Sequence, residues 1–354
     1  MKESKNIKKR ILSHFSGCLA GGAVGDALGA PVEFISLDEI LNRFGPSGIS
    51  DYAPAYGRKG AITDDTQMTL FTAEGLILSK VRGGDDLVSS HIPIFVYQAY
   101  LRWLSTQQSG LEHLISQHGT CVMVDGQLIM HKELYSRRAP GNSCLSALMS
   151  NKMGTTENPV NNSKGCGGIM RIAPVGLFLN LEDVFDTACE IAAITHGHPT
   201  GFLAAGCLAH IISEISYGEG LIAAVNKTIS ILKTKKDHEE CLKAVNAALN
   251  AWKHEPVSFQ SVEKLGKGWI AEEALAISLY CALTVKNDAE NDFEKAMILA
   301  VNHSGDSDST GAITGNILGA MHGIKTIPEK YLKNLEFYDL IMEISQDLFE
   351  RRHI

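Results

Sequence analysis

The amino-acid sequence predicts an all-α fold with at most a small β-hairpin. Segments with apolar residues at helical spacing dominate the 354 residues, and short polar or Gly/Pro-rich stretches separate them. Alternating runs of β-branched residues, which would indicate strands, are few. A hydrophobic content of 45% is enough for a substantial core. Because no repeat, low-complexity linker or compositional break divides the chain, we expect a single domain over residues 1–354.

Ten segments have the helical pattern. They are Leu12–Ala30, Thr66–Lys80, Ile92–Leu104, Leu181–Ala193, Gly201–Glu214, Gly220–Thr234, His238–Trp252, Ala271–Leu283, Asp292–Val301 and Thr310–His322. Between the third and fourth, Val122–Ile129 is a candidate hairpin, because its Asp125-Gly126 pair is a favoured turn dipeptide.

Two of the predicted helices have glycine at every fourth position. The glycines are Gly17, Gly21, Gly25 and Gly29 in the first, and Gly311, Gly315, Gly319 and Gly323 in the last. Glycine inside a helix costs about 1 kcal/mol relative to alanine, so these residues need a reason. At this spacing they form one face, on which another backbone can approach closely. Central packing of the two helices would bring Glu33 near Asp306 and Asp308.

The charge of the chain restricts its partners. A net charge of −8 argues against a general nucleic-acid binder, because phosphate neutralisation requires a basic surface. Residues 1–10 are locally basic, which indicates a solvated helix start or an extension that steers an acidic partner.

Cysteine usage and hydropathy indicate a cytoplasmic protein. The eight cysteines include no CxxC pair and most lie in apolar runs, as expected for reduced thiols. No signal peptide is visible. The segment Phe15–Val32 is apolar, but Asp26 in its interior argues against a membrane span.

Two oxygen-rich clusters lie far apart in the sequence, each directly before a predicted helix. They are Thr63-Asp64-Asp65-Thr66 and Gly305-Asp306-Ser307-Asp308-Ser309-Thr310. Carboxylates with flanking hydroxyls, and no cysteine or histidine among them, are ligands for a hard cation such as Mg²⁺ or Mn²⁺. If the fold joins the clusters, the site can hold two cations side by side.

Each cluster alone also has a purely structural interpretation. Asp64 can be an N-cap with Gln67 completing a capping box, and Asp306–Ser309 can be a polar turn before a helix. Together the clusters are more specific, since both place carboxylates at positive helix ends where the ionised form is favoured.

Three further features suggest a substrate site. Gly165-Cys166-Gly167-Gly168 can present backbone N–H groups to an anion, although it can also be a simple turn. His196 lies in a His-Gly-His-Pro loop with no soft ligands nearby to complete a zinc site, so a hydrogen bond to a phosphate or ribose is favoured. Trp269, before a predicted helix, can stack on a base or sugar, or belong to the core.

Taken in order, these residues resemble the ADP-ribosylglycohydrolase family. The resemblance spans about nine-tenths of the chain, and the two acidic clusters are its most specific marks. The matching stretches are Gly21–Gly29 with Pro31 and Glu33, Thr63–Met68, Arg138–Asn142, Gly165–Pro174, Thr195–Pro199, Gly268–Trp269 with Glu272–Ala274, and Asn302–Gly311.

The resemblance implies a compact orthogonal bundle of helices that holds two Mg²⁺ or Mn²⁺ ions and hydrolyses the glycosidic bond of ADP-ribose. It implies metal ligation by six residues: Thr63, Asp64, Asp65, Asp306, Asp308 and Ser309. The catalytic candidates are Asp64, Asp65 and Glu33. The substrate-binding candidates are Gly165, Cys166, Gly167, Gly168, His196 and Trp269.

The implied substrate is an ADP-ribosylated protein, with an arginine linkage preferred. The alternative is a non-catalytic immunity protein that binds ADP-ribose or an ADP-ribosyltransferase toxin, for which the basic start Lys2–Arg10 is the supporting feature. Cys166 stands where many relatives have Asn or Ser, and Gln107–Lys132 matches no family motif. Both departures concern substrate choice.

Overall fold

A computed structural model describes residues 2–84, 87–108, 126–286 and 290–352, and the side chains of residues 12–84, 87–108, 126–286 and 291–352. Within these residues, sixteen α-helices and one two-stranded sheet confirm the predicted all-α fold. The helices in chain order are α1 (Lys2–Gly29), α2 (Leu37–Phe44), α3 (Asp64–Gly83), α4 (Ile92–Gln107), α5 (Asn142–Met149), α6 (Ala173–Phe178), α7 (Val184–Ala193), α8 (Pro199–Ser216), α9 (Leu221–Leu232), α10 (Glu239–His254), α11 (Phe259–Glu263), α12 (Ala271–Leu283), α13 (Glu290–Val301), α14 (Ser307–His322), α15 (Glu329–Asn334) and α16 (Tyr338–Arg351).

All ten helices predicted from the sequence are present. The additional ones are mostly too short for a periodic pattern to reveal, as with α6 and α11. The exception is α16, whose buried residues at helical spacing predict a helix that the ten segments omit. No helix among those described is both long and apolar enough to cross a membrane.

The small sheet lies elsewhere than predicted. Strands β1 (Pro54–Ala55) and β2 (Arg58–Lys59) pair around Tyr56 and Gly57, which both have positive φ, of 50° and 83°. Of the candidate hairpin, residues 122–125 lie outside the described residues, and Leu128–Met130 forms a 3-10 turn. Most of the unmatched stretch Gln107–Lys132 also lies outside them.

The two glycine-bearing helices pack directly against each other, as predicted. As residue numbers rise along α1 they fall along α14, so the helices are antiparallel. The facing pairs are Gly17–Gly319, Gly21–Gly315 and Gly25–Gly311. A Cβ atom built on Gly21 would overlap the carbonyl oxygen of Gly315, and one built on Gly315 would overlap that of Gly21.

This contact lies at the centre of the molecule. Helix α16 packs against α1 and α3, while α12 and α13 pack against α14. One continuous cluster of buried apolar residues extends from Phe15 in α1 to Leu348 in α16. The single-domain organisation over residues 1–354 stays a prediction.

We expect Gly315→Ser to destabilise the protein by about 3 kcal/mol, because a side chain there must push two backbones apart. Serine has a higher helix propensity than glycine, so an isolated helix would instead gain stability. Chemical denaturation of the purified protein measures the change. The matched control is Gly220→Ser, where a built Cβ meets no atom within 4 Å and the position is an N-cap that favours serine. Equal stability of the two variants would contradict the packing account.

Candidate active site

The two acidic loops meet at one cleft. Glu33, Asp306 and Asp308 each place a carboxylate oxygen within 4.8 Å of the others. The Ser309 hydroxyl donates a hydrogen bond of 2.8 Å to Asp65 Oδ1, which joins the second loop to the first. Asp64 lines the same cleft, whose volume is about 220 Å³. The sequence expectation that the clusters lie together is therefore met by the geometry.

Asp26 holds the first loop in place. Its carboxylate accepts hydrogen bonds from the backbone N–H of Thr63 at 3.0 Å and of Thr66 at 3.1 Å, and from the Thr66 hydroxyl at 2.5 Å. Sequence reasoning did not include Asp26 among the site residues. The signal was present as a charged residue inside an apolar helix, which is unusual unless its carboxylate has partners.

The predicted cap of α3 is wrong by one residue. Thr63, not Asp64, is the N-cap, and its hydroxyl accepts from the backbone N–H of Asp65. Gln67 does not close a capping box, because its side-chain oxygen Oε1 accepts instead from Trp103 Nε1 at 3.1 Å and Gln107 Nε2 at 2.9 Å. The capping by Thr63 leaves the carboxylates of Asp64 and Asp65 directed to other partners.

The second loop is fixed by its backbone. Asp306 is the N-cap of α14 but makes no side-chain cap hydrogen bond. Its N–H donates to the carbonyl oxygen of Lys267 at 2.8 Å, and His303 Nε2 lies 2.8 Å from the Thr310 hydroxyl. These contacts leave the Asp306 carboxylate available to the cleft.

A third contact, at the back of the first loop, involves Glu336. This buried carboxylate accepts from the backbone N–H of Ile62 at 3.1 Å and forms an ion pair with Arg138. Arg138 in turn donates to the carbonyl oxygen of Ile62 at 2.9 Å and accepts from the N–H of Asp64 at 3.2 Å through its own carbonyl. Sequence reasoning missed Glu336, since nothing in its local sequence indicates that it meets a loop 274 residues earlier.

Burial raises the pKa values of the acidic cluster. Desolvation, followed by repulsion from Asp308, raises the pKa of Asp26 to about 7 and that of Glu33 to about 11. The same causes raise the pKa values of Asp64, Asp65 and Asp306 well above the usual range. The helix N-termini therefore do not hold these pKa values in the usual range, contrary to the sequence expectation.

The cluster fits a hard divalent cation. Within the described residues, Glu33 Oε2 and Asp306 Oδ2 are buried and have no hydrogen-bond partner. Buried carboxylate oxygens require compensation, and an all-oxygen donor set is the one that Mg²⁺ and Mn²⁺ prefer. Glu33 forms a compact trio of carboxylate oxygens with Asp306 and Asp308. It is therefore itself a candidate metal ligand, in addition to the six residues named from the sequence.

The glycine-rich loop forms a further wall of the cleft. Cys166–Gly168 is a 3-10 turn, and the N–H of Cys166 donates to the carbonyl oxygen of Trp269 at 3.1 Å. Gly165, Cys166 and Gly167 line the cleft together with His196. Gly168 lies behind the histidine, where a built Cβ would be 3.4 Å from His196 Cβ.

The thiol of Cys166 points to the acidic side. Burial, then the negative charge of Asp306, raises the pKa of this thiol well above its usual range. The protonated thiol is therefore a weak hydrogen-bonding group beside Asp306 rather than a nucleophile.

Trp269 lies at the mouth of the cleft. It is 39% exposed and stacks on Phe34, which is 70% exposed, with ring centroids 5.7 Å apart and an angle of 21° between the planes. The lining also includes residues that sequence reasoning did not assign: Ala139, Gly141, Asn142, Ser143, Cys144 and Met170.

Comparison with known proteins identifies the class. A family model described as ADP-ribosylglycohydrolase matches residues 7–353, so the chain belongs to this family of hydrolases. It is 25% identical over 328 residues to the ADP-ribosyl-[dinitrogen reductase] glycohydrolase of Rhodospirillum rubrum, covering 90% of this chain and 89% of the relative.

Two further matches extend the comparison. The ADP-ribosylarginine hydrolase Tri1 of Serratia proteamaculans is 23% identical, with 98% of this chain and 80% of the relative covered. A solved structure described as an ADP-ribosylglycohydrolase-related protein complex superposes with a TM-score of 0.67 at 24% identity, covering 97% of this chain and 99% of that one. The latter shows that the fold is shared.

We expect the metal-free protein to lose stability as pH rises. A carboxyl group whose pKa is raised in the folded state contributes stability that is complete below its unfolded pKa and is lost as pH rises through the folded value. For Glu33 this window runs from 4.5 to about 11. The melting temperature in EDTA should therefore fall between about pH 7 and pH 8, and saturating Mg²⁺ should raise it more at the higher pH.

Above about pH 7, titration of the buried histidines does not contribute to the change in melting temperature. The pKa values of His196 and His303 are lowered, mainly by burial, to about 3 and about 4, so both are neutral there. Asp308→Asn removes the charge that repels the neighbouring carboxylates and should flatten the pH dependence. A melting temperature that rises with pH in EDTA would contradict the assignment.

Proposed function

We propose that this protein is a metal-dependent hydrolase that removes ADP-ribose from a modified protein, with an arginine linkage preferred. The observation that carries the proposal is the meeting of two acidic loops in a cleft that the glycine-rich loop also lines, around buried carboxylate oxygens that have no hydrogen-bond partner among the described residues. Membership of the ADP-ribosylglycohydrolase family supports it.

The proposed metal ligands are six side chains that supply only oxygen: Thr63, Asp64, Asp65, Asp306, Asp308 and Ser309. Two Mg²⁺ or Mn²⁺ ions bound there would hold the ribose hydroxyls and polarise the attacking water. Glu33, in the most compact carboxylate trio, shares in this binding or acts on the substrate.

The chain's own groups supply proton transfer. Cleavage at the anomeric carbon passes through an oxocarbenium-like state, so one carboxylate must activate water and an acid must protonate the leaving group. Asp64 or Asp65 orients or deprotonates the water, and Glu33, at the mouth of the cleft beside Phe34 and Trp269, protonates the departing side chain.

The glycine-rich loop and His196 are proposed to bind the rest of the substrate. Gly165, Cys166, Gly167 and His196 would contact the diphosphate and ribose, Gly168 would support His196 from behind, and Trp269 would cover the sugar at the cleft mouth. The exposed face of Trp269 is suited to such stacking.

The acceptor assignment rests on the relatives. The Tri1 relative is named an ADP-ribosylarginine hydrolase, which supports an arginine linkage and an ADP-ribosylated protein as the partner. The seven described cysteines are free, which is consistent with a cytoplasmic location. The immunity-protein alternative depends on Lys2–Arg10, whose side chains lie outside the described residues, so it stays a prediction.

Asp64→Asn should lower turnover by at least about 100-fold, because it removes the charge of a proposed metal ligand. The fold should persist, since the amide has the same shape and relieves carboxylate repulsion. Release of free ADP-ribose from an ADP-ribosylated protein, with and without Mg²⁺, measures the effect. Asp186→Asn, a surface substitution on α7, is the matched control. Full turnover by Asp64→Asn, or release that ignores EDTA, would count against the proposed site.

A panel of linkages tests the acceptor. We expect an arginine-linked ADP-ribosyl peptide to be cleaved at least about 10-fold faster than serine-linked or ester-linked peptides of the same sequence, which corresponds to about 1.4 kcal/mol of discrimination. Single-turnover assays by mass spectrometry compare the rates. Faster cleavage of another linkage would leave the hydrolase proposal intact and reject the arginine preference.

A further inference from the structure

Arg171 is a buried cation without a carboxylate partner among the described residues. Its side chain is 0% exposed. Its Nη2 donates to Thr195 Oγ1 at 2.6 Å, Nη1 contacts the sulfur atoms of Met68 at 3.4 Å and Cys144 at 3.5 Å, and its Cζ lies 4.1 Å from the centre of the Tyr100 ring. Within the described part of the chain, Nε has no hydrogen-bond partner. Burying an uncompensated charge destabilises the fold, so stability does not explain why a guanidinium lies at this position.

The guanidinium determines the role of the Thr195 hydroxyl. Arginine can only donate, so Thr195 Oγ1 accepts from Arg171 and keeps its one hydrogen for another acceptor. His196 Nδ1 lies 2.8 Å away. The Cys144 thiol is also within reach of this hydroxyl. Because sulfur is a weak acceptor, the hydrogen goes to the imidazole nitrogen.

A histidine that accepts at Nδ1 carries its proton on Nε2 when it is neutral. The neutral form is favoured, because burial and then the charge of Arg171 lower the pKa of His196 to about 3. Nε2 faces the glycine-rich loop, where a Cβ built on Gly165 would lie 3.4 Å from it. His196 also lines the cleft, so Nε2 is the ring nitrogen left to bond a ligand there.

We propose that Arg171 and Thr195 are positioning residues that hold His196 as the neutral Nε2–H tautomer, so that it donates a hydrogen bond to an anionic group of the substrate. The inference rests on the proposed function, in which that group is the diphosphate of ADP-ribose. Arg171 adds a fixed positive charge behind the same wall. His196 is thus a hydrogen-bond donor, neither a general base nor a cation ligand.

The arrangement gives the cleft two unlike ends. The carboxylates of Glu33, Asp306 and Asp308 lie at one end, and the charge of Arg171 lies behind His196 at the other. The N–H of His196 and the charge of Arg171 favour an anion at the second end, whereas the carboxylates of the first end bind the cations of the proposed function. The diphosphate is therefore placed at the histidine and the reacting ribose at the carboxylates.

The tautomer can be measured without substrate or metal. Long-range ¹H–¹⁵N spectra of ¹⁵N-histidine-labelled protein should show His196 with protonated Nε2 and a hydrogen-bonded, unprotonated Nδ1. Thr195→Val keeps the side-chain shape without the hydroxyl and should give a mixture of tautomers, whereas Thr195→Ser should retain the wild-type pattern. A wild-type ring that is protonated at Nδ1 near neutral pH, or a Thr195→Val spectrum identical to wild type, would overturn the inference.

Binding of ADP-ribose tests the donor itself. In His196→Gln the side-chain amide places an N–H near the position of Nε2, and in His196→Asn it does not reach so far. We expect calorimetry to show affinity within about 3-fold of wild type for the first and at least about 10-fold weaker for the second, the range of one lost hydrogen bond. The loss should appear in KM rather than in kcat. Equal affinities of the two variants, both well folded by circular dichroism, would reject the donor role.

Arg171→Gln tests the charge by comparison with Thr195→Val. The glutamine amide ends two bonds short of the position of Nη2, so Arg171→Gln loses the charge and the hydrogen bond to Thr195, whereas Thr195→Val loses the hydrogen bond and keeps the charge. We expect Arg171→Gln to bind ADP-ribose at least about 10-fold more weakly than Thr195→Val. Equal affinities of these two variants would show that the charge does not contribute. If wild-type protein binds no ADP-ribose, the proposed function fails, and the spectrum alone decides whether Arg171 and Thr195 position His196.

Discussion

The backbone contact between α1 and α14 brings the carboxylate of Glu33 to those of Asp306 and Asp308 in the cleft. Helices that pack through ordinary side chains have axes about 8–10 Å apart, and the facing glycines allow these two to approach more closely. At the end of the contact, a Cβ on Gly29 would overlap the carbonyl oxygen of Ser307. Glu33, four residues beyond Gly29, therefore meets Asp306 and Asp308 at the start of α14. The close packing that places Glu33 beside Asp306 and Asp308 offsets the cost of glycine in the two helix interiors.

The cleft is built from groups that oppose folding when they are alone. Carboxylates crowd one end, with two oxygen atoms that have no protein partner among the described residues. Behind the other end, a guanidinium packs on Tyr100 and has no carboxylate partner among the described residues. Both groups would be stabilised by an ion or molecule of opposite charge. In the proposed function, the site gives up part of the stability of the empty protein for selectivity toward a ligand with an anionic end and a hydroxyl-rich end.

Much of this could be predicted from the sequence. Helical periodicity locates the long helices, and the four-residue glycine spacing identifies the pair that packs at the centre. Residues at the adjacent ends of these two helices must be neighbours. The meeting of Glu33 with Asp306 and Asp308 therefore follows from the glycine spacing and from the positions of the acidic clusters.

Other parts depend on contacts that only the folded chain defines. Asp26 and Glu336 bind backbone N–H groups of the first acidic loop, and no spacing in the sequence relates Glu336 to Ile62. The raised pKa values of the acidic cluster also could not be predicted from helix starts, because they result from burial and from repulsion by Asp308 in the folded chain. Similarly, the tautomer of His196 follows from Arg171, whose position behind Thr195 is a result of the fold.

The separation of the two glycine-bearing helices in the chain has a consequence for biosynthesis. About 280 residues lie between Gly29 and Ser307. At translation rates of about 5–20 residues per second, α1 leaves the ribosome roughly 15–60 s before its partner is made. During that interval the glycine face of α1 lacks the helix that covers it in the folded protein, and the first acidic loop lacks the second acidic loop as its neighbour. Completion of the interior is thus a late event, dominated by long-range contacts and open to chaperones until the last helices emerge.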